Sequence, residues 1–193
     1  MSIYFARHGK TEYGEEHRLE GVSDSELTDE GKKQAGRLGL FLKDRNIKKI
    51  ISSPLKRSRQ TAAIVSGLTG ADMNIDETWR EMSYGAWDGK KKEDLKNLPD
   101  WQKRENNKYF FAHPEGESYD ALYRRLEPAF GRLTDDWPLH NLLIVAHCGV
   151  LRAANKYFNK LNPEETAAYS PPHNELLIIN KESRNLNINF LKF

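Results

Sequence analysis

Apolar and polar residues fall in blocks along the chain, and the length and period of each block predict an element. Ile3-Tyr4-Phe5-Ala6 is a short apolar run ending in the polar cluster Arg7-His8-Gly9-Lys10. This pattern predicts a buried strand that hands its C-terminal end to a loop. Thr28-Asp29-Glu30-Gly31 has the signature of a helix start, a threonine cap followed by acids where the helix dipole favours them. Behind it Ala35, Leu38, Phe41 and Leu42 recur at helical spacing, which predicts an amphipathic helix over 29–45. Ile50-Ile51 reads as a second strand, stopped by Ser52-Ser53-Pro54. A second helix then runs from about Ser58 to Leu68, closed by Gly67 and Gly70.

The second half continues the alternation. A helix is predicted from about Ser118 to Trp137, with Leu122, Leu126, Phe130 and Leu133 on one face. Leu142-Leu143-Ile144-Val145-Ala146 is a continuous apolar run suited to a strand buried on both faces. It empties into His147-Cys148-Gly149, after which Val150 to Phe158 reads as helical. Glu175–Ile179 and Leu186–Leu191 are the last strands, read as a hairpin around Lys181-Glu182-Ser183. Alternating strands and helices give a three-layer α/β sandwich. Residues 90–116 differ in character, with a Lys90-Lys91-Lys92 run and the aromatic triplet Tyr109-Phe110-Phe111. They are read as an insertion packed over the sheet ends within one domain spanning 1–193.

Bulk properties narrow the function classes. A chain of 193 residues can bury a sizeable core and needs no disulfide or metal staple. The net charge of +2 is too small to imply a nucleic-acid or membrane surface as partner. One cysteine, Cys148, excludes an intramolecular disulfide and a cysteine-rich zinc site, and points weakly to a reducing compartment. No signal peptide is expected at the N-terminus, and no apolar run approaches the roughly 18 residues of a membrane span. The expected location is the cytoplasm.

The candidate chemistry sits at strand ends. Two predicted strands finish in histidine, at Ala6-Arg7-His8-Gly9 and Ala146-His147-Cys148-Gly149. Between them, Ser53-Pro54-Leu55-Lys56-Arg57-Ser58-Arg59-Gln60-Thr61-Ala62 follows the second strand into a helix. Ligands of open α/β sheets bind beyond the carboxyl ends of the strands. Two histidines and two arginines converging there repel one another and call for a bound anion such as phosphate. Each piece alone has an ordinary reading: a surface turn, a satisfied core histidine, a solvated helix face. Their placement at the ends of one sheet is what favours a site.

These segments resemble the histidine phosphatase superfamily in its phosphoglycerate mutase-like branch. The resemblance runs through Arg7-His8-Gly9 with Thr11, Leu27–Ala35, Ser52–Ala62, Arg80–Gly89, Gly116-Glu117-Ser118 and Val145–Val150, in the family's order. It implies a three-layer α/β/α sandwich with a mostly parallel central sheet. It also implies a metal-independent phosphatase of the histidine acid type, with no cofactor and a small phosphomonoester as its partner. His8 would be the nucleophile that becomes phosphohistidine, Arg7 and Arg57 would hold the phosphoryl oxygens, and His147 would add a cationic donor. Glu81 matches the family's acid, which protonates the leaving oxygen. Gly14 stands where relatives commonly carry asparagine, so Arg18 and the backbone of Gly21 are expected to compensate. A cofactor-dependent phosphoglycerate mutase is the alternative: Lys92 is placed to meet a substrate carboxylate, but the segment between Glu81 and His147 is short for such a mutase. An inactive phosphate-ester binding protein is a third reading, disfavoured by the full set of site residues. Cys148 is assigned no chemistry, and oligomeric state is not legible.

Overall fold

The protein, described by a computed structural model over residues 1–182 and 185–193, is built on one six-stranded sheet. The elements are β1 (Ser2–Arg7), α1 (Glu12–Glu15), α2 (Asp29–Leu42), β2 (Ile47–Ser52), α3 (Lys56–Thr69), β3 (Asp72–Ile75), α4 (Lys92–Leu95) and α5 (Pro99–Asn106). They continue with α6 (Tyr119–Asp135), β4 (Asn141–Ala146), α7 (Cys148–Asn159), α8 (Pro163–Ala168), β5 (Glu175–Glu182) and β6 (Asn185–Lys192). The strand order is β3-β2-β4-β1-β5-β6. β3, β2, β4 and β1 run parallel, and β5 and β6 complete the sheet antiparallel.

The two most apolar runs occupy the centre, as a strand buried on both faces must. Alternate residues of β1 and β4 feed two cores. Ile3, Phe5, Leu142, Ile144 and Ala146 pack with Leu122, Leu126 and Phe130 of α6 and Val150, Leu151 and Phe158 of α7. Tyr4, Ala6, Leu143 and Val145 pack with Leu38 and Leu42 of α2 and Ala62 and Val65 of α3. This is the expected α/β/α sandwich.

The parallel register brings three strand ends together. Arg7 lies opposite Ala146, and Ser52 opposite Val145. The ladder extends one step further: the His8 N–H donates to the Ala146 carbonyl at 3.0 Å, and Ser53 N–H to the Val145 carbonyl at 3.0 Å. His8, His147 and Ser53 therefore open their loops side by side.

Several boundaries differ from expectation. α3 runs through Gly67 and ends only at Gly70, whose φ of 70° is the left-handed turn that favours glycine. β3 and α8 were not anticipated; β3 is a four-residue edge strand without a continuous apolar run, so its period is too short to read. β5 continues to Glu182, so Lys181 and Glu182 pair with Leu186 and Asn185 instead of forming a turn; Ser183 lies outside the described residues. Among the described residues, no helix is long and apolar enough to cross a membrane.

The loop that follows His8 is seated against α2 by backbone contact. A Cβ on Gly31 would stand 2.0 Å from the Lys10 carbonyl oxygen. Alanine at this helical position would gain about 1 kcal/mol in propensity. Overpacking typically costs about 1–3 kcal/mol, and here both surfaces are backbone and cannot yield. Gly31→Ala should therefore destabilise the fold by up to about 2 kcal/mol net, read as a lower urea midpoint. An unchanged midpoint would mean that the loop moves freely away from α2.

Candidate active site

His8 follows β1 and is only 3% exposed. Its Nδ1 lies 2.8 Å from the Gly9 carbonyl oxygen, which can only accept, so Nδ1 carries the hydrogen and Nε2 keeps its lone pair. The loop is held in turn: Gly9 N–H donates to Thr61 Oγ1 at 3.0 Å, and Thr61 Oγ1 donates to the Arg57 carbonyl at 2.8 Å. Burial first, then the charges of Arg57, His147, Arg7 and His173, push His8 well below the ordinary histidine value. The imidazole is neutral.

Around it stands a ring of buried cations and donors. His147, at the end of β4, has its ring centroid 5.2 Å from that of His8. Its Nε2 meets Ser53 Oγ at 2.6 Å and Ser58 Oγ at 3.3 Å. Arg57 is wholly buried; its Nη1 donates to the Ser23 carbonyl and to Asp24 Oδ1, and its Nη2 to the Gly21 carbonyl at 2.6 Å. Arg7 donates from Nη1 to the Pro171 carbonyl at 3.1 Å. Among the described residues Arg7 Nε, Arg57 Nε and His147 Nδ1 are buried without a hydrogen-bond partner, although Glu20 Oε1 lies 3.9 Å from Arg57 Nε. Unmet buried donors are costly, and the two guanidinium Nε–H groups call for an anionic acceptor such as an oxyanion.

Glu81 supplies the opposite character. Its Oε1 accepts from Met82 N–H at 2.8 Å and its Oε2 from Gly149 N–H at 2.9 Å. Burial raises its pKa despite those two hydrogen bonds and the charges of Arg57 and Arg152. The carboxyl thus keeps its proton to a higher pH than an ordinary glutamate does. Its fit requires glycine at 149, where a Cβ would lie 2.3 Å from Glu81 Oε1.

Arg7, His8, Arg18 and Glu81 line one cavity of about 420 Å³, with Arg57 and His147 packed behind it. Two expectations meet a different arrangement. Both backbone groups of Gly21 are occupied, its N–H by Asp88 Oδ1 at 2.9 Å and its carbonyl by Arg57, so Gly21 shapes the site without a free donor for phosphate. Arg18 reaches the cavity wall, but its Nε pairs with Glu16 at 2.7 Å and its Nη1 with the Gly89 carbonyl at 2.9 Å. The triplet Tyr109-Phe110-Phe111 stays out of the cavity lining; Phe111 and Trp101 instead stack on Trp87. Cys148 does face the cavity.

His173 was missed by sequence reasoning. It sits 5.8 Å from the His8 ring, and its Nδ1 donates to the His8 carbonyl at 2.6 Å. The available signal was a histidine after two prolines, just ahead of a strand, in Pro171-Pro172-His173-Asn174. Burial and Arg7 lower its pKa to about 4. Among the described residues, no group of three or more His, Cys, Asp and Glu stands together to hold a metal ion.

The fold and the pocket define an α/β protein with a cation-rich cavity at the ends of its parallel strands. The chain belongs to the histidine phosphatase superfamily (branch 1), whose family model matches residues 3–191. It is 32% identical over 175 residues to 6-phosphofructo-2-kinase/fructose-2,6-bisphosphatase 3 of Rattus norvegicus, covering 85% of this chain but only 29% of that longer protein. It is 33% identical over 149 residues to the Escherichia coli O1:K1 / APEC protein named "Probable phosphoglycerate mutase GpmB", covering 76% of this chain and 69% of that one. The solved structure of the alpha-ribazole phosphatase from Shigella flexneri superposes with a TM-score of 0.89 at 24% identity, over 100% of this chain and 96% of the other. That likeness shows the fold.

The buried histidines make stability depend on pH. His8, His147 and His173 all have folded values below the ordinary 6.5. The unfolded chain therefore binds more protons as pH falls below about 6.5, and the stability these residues contribute above that value is progressively lost. For His173 the loss runs down to about 4. Glu81, raised, acts in the opposite direction, but it is one group against three. Urea unfolding should show stability falling from pH 6.5 to 5, by up to about 1.4 kcal/mol per pH unit for each histidine. His173→Gln should flatten the slope by about one proton. A profile flat across that interval would contradict the neutral assignment.

Proposed function

We propose that this protein is a phosphatase that hydrolyses small phosphomonoesters through a phosphohistidine formed on His8. The observation that carries this reading is the neutral His8 imidazole, its Nε2 lone pair free, in a site where the buried Nε–H groups of Arg7 and Arg57 and the Nδ1 of His147 have no hydrogen-bond partner. In the first step Nε2 attacks phosphorus in line, the N–P bond forms and the P–O bond to the alcohol breaks. Glu81 gives its proton to the departing oxygen. Arg7, Arg57 and His147 meet the charge on the equatorial oxygens, and a bound dianion favours the charged form of His147. In the second step water attacks phosphorus, Glu81 takes the water's proton, and the N–P bond breaks to release inorganic phosphate and neutral His8. Dividing the hydrolysis in this way replaces one hard displacement by two easier ones.

None of these steps requires a metal or cofactor. The same reading takes 1–193 as one domain, with 90–116 inserted over the active-site end, working on a small molecule in the cytoplasm. A mutase would use the same first step and return the phosphoryl group to a hydroxyl instead of water. Lys92 on the cavity wall is the feature that favours it, since it could hold a substrate carboxylate.

The roles separate by leaving group. An alkyl alcohol departs poorly without a proton, whereas p-nitrophenolate hardly needs one. In single turnovers with EDTA present, wild-type protein should form phosphohistidine on the His8 peptide. Glu81→Gln should slow that step about 10²–10⁴-fold for an alkyl phosphate and much less for p-nitrophenyl phosphate. An equal loss for both esters would remove Glu81 as the acid, and phosphorylation of His8→Ala would remove His8 as the nucleophile.

A further inference from the structure

The cavity in front of His8 carries more positive charge than one phosphoryl group can use. Besides Arg7 and His8 it is lined by Lys92, Arg104, Lys108 and Arg152. Lys92 starts α4, Arg104 lies in the last turn of α5, Lys108 follows that helix, and Arg152 is one turn into α7. Three of the four thus come from the segment over the strand ends, which contributes cations to the cavity rather than its aromatic rings.

These cations form a group of their own. The charges that act on His8 are those of Arg57, His147, Arg7 and His173. Those that act on Lys108 include Arg104, Arg152 and Lys92. Lys92 also feels Arg7, so the two groups adjoin within one cavity. Partial burial, with these neighbouring cations, holds both lysines below the ordinary lysine value.

Little in the protein neutralises the group. Among the described residues Lys92, Lys108 and Arg152 make no ion pair. Arg152 bonds to Tyr119 Oη and the Tyr169 carbonyl, each at 2.5 Å, which orient it without cancelling its charge. Arg104 pairs with Glu105, yet it is only 7% exposed and its Nε is buried with no partner. The carboxylates on the cavity wall are Glu20 and Glu81. Glu20 accepts from the Thr11 and Ser25 hydroxyls and lies 3.9 Å from Arg57 Nε, and both oxygens of Glu81 are taken by the backbone N–H groups of Met82 and Gly149.

We propose that Lys92, Arg104, Lys108 and Arg152 bind a second phosphate group, carried by the leaving group, so that the preferred substrates are small bisphosphates. The inference rests on the phosphatase reading and names its substrate class. A carboxylate would bring one negative charge and two acceptor oxygens to four cations. A phosphate brings nearly two charges and three acceptors, a closer match to two guanidiniums and two ammoniums. A merely attractive rim would need only exposed lysines, and would not need a buried arginine with an unmet donor. A cavity of about 420 Å³ is in the size range of small-molecule sites.

The test compares kcat/KM for a hexose bisphosphate, the hexose monophosphate with the same scissile phosphate, a phosphorylated hydroxy acid and p-nitrophenyl phosphate. The bisphosphate should exceed the monophosphate by about 100-fold or more, because without the second phosphate the cations are left unpaired. Arg104→Gln and Lys108→Gln should each cut that ratio about tenfold; the second variant, at a less buried position, guards against misfolding of the first. Equal kcat/KM for bisphosphate and monophosphate, or a ratio unchanged in both variants, would overturn the inference. So would a preference for the phosphorylated hydroxy acid, which would make the second anion a carboxylate. Turnover of p-nitrophenyl phosphate with no bisphosphate preference would overturn this inference alone. No phosphate release from any compound would overturn the phosphatase reading and this inference with it.

Discussion

In the proposed reaction His8 attacks phosphorus, which an imidazole can do only while neutral, and His8 must remain so inside a cluster of positive charge. The rest of the site follows from that constraint. Burial strips His8 of the water that would stabilise its protonated form, and Arg57, His147, Arg7 and His173 make protonation costlier still. The Gly9 carbonyl then selects the tautomer, since it can only accept from Nδ1–H. Three of these groups, Arg57, His147 and Arg7, are those that hold the phosphoryl oxygens in the proposed reaction. Glu81 completes the design from the other side: desolvation pushes an acid up while it pushes the histidine down. Pairs of titratable groups displaced in opposite directions are a recurrent basis for acid and nucleophile roles in one pocket.

Most of the remaining structure keeps these groups in place. β1, β4 and β2 bring His8, His147 and Ser53 to one edge through a parallel register that a one-residue slip would destroy. Asp88 gathers the N–H groups of Gly21, Val22 and Ser23, and that loop presents the carbonyls of Gly21 and Ser23 to the Arg57 guanidinium. Arg57 is therefore oriented by backbone before any ligand arrives. Gly31 and Gly149 are used differently: each lets a neighbouring group approach more closely than a Cβ would allow, the loop after His8 in one case and Glu81 in the other.

What could be read from the sequence divides along physical lines. The central strands were legible because a run buried on both faces leaves a continuous apolar signature. His8 and His147 were legible because they follow such strands directly, whereas the resemblance to a family singled out Arg57 and gave Glu81 a role. β3 was not, since a short edge strand with exposed residues has no period to detect. His173 was hidden because its value lies in a 5.8 Å approach to His8 across the fold, from a loop 165 residues away. Arg104, Lys108 and Arg152 look like ordinary helix-surface charges in one dimension, and only the folded chain brings them onto one cavity wall.

The central claim is the protonation state and tautomer of His8, and imidazole nitrogen NMR of the ¹⁵N-labelled protein measures both. His8 should show a protonated Nδ1 and a bare Nε2, and should not titrate between about pH 5 and 8, the interval in which an ordinary histidine changes charge. A His8 ring that titrates near 6.5, or that carries its proton on Nε2 in the free protein, would contradict the account.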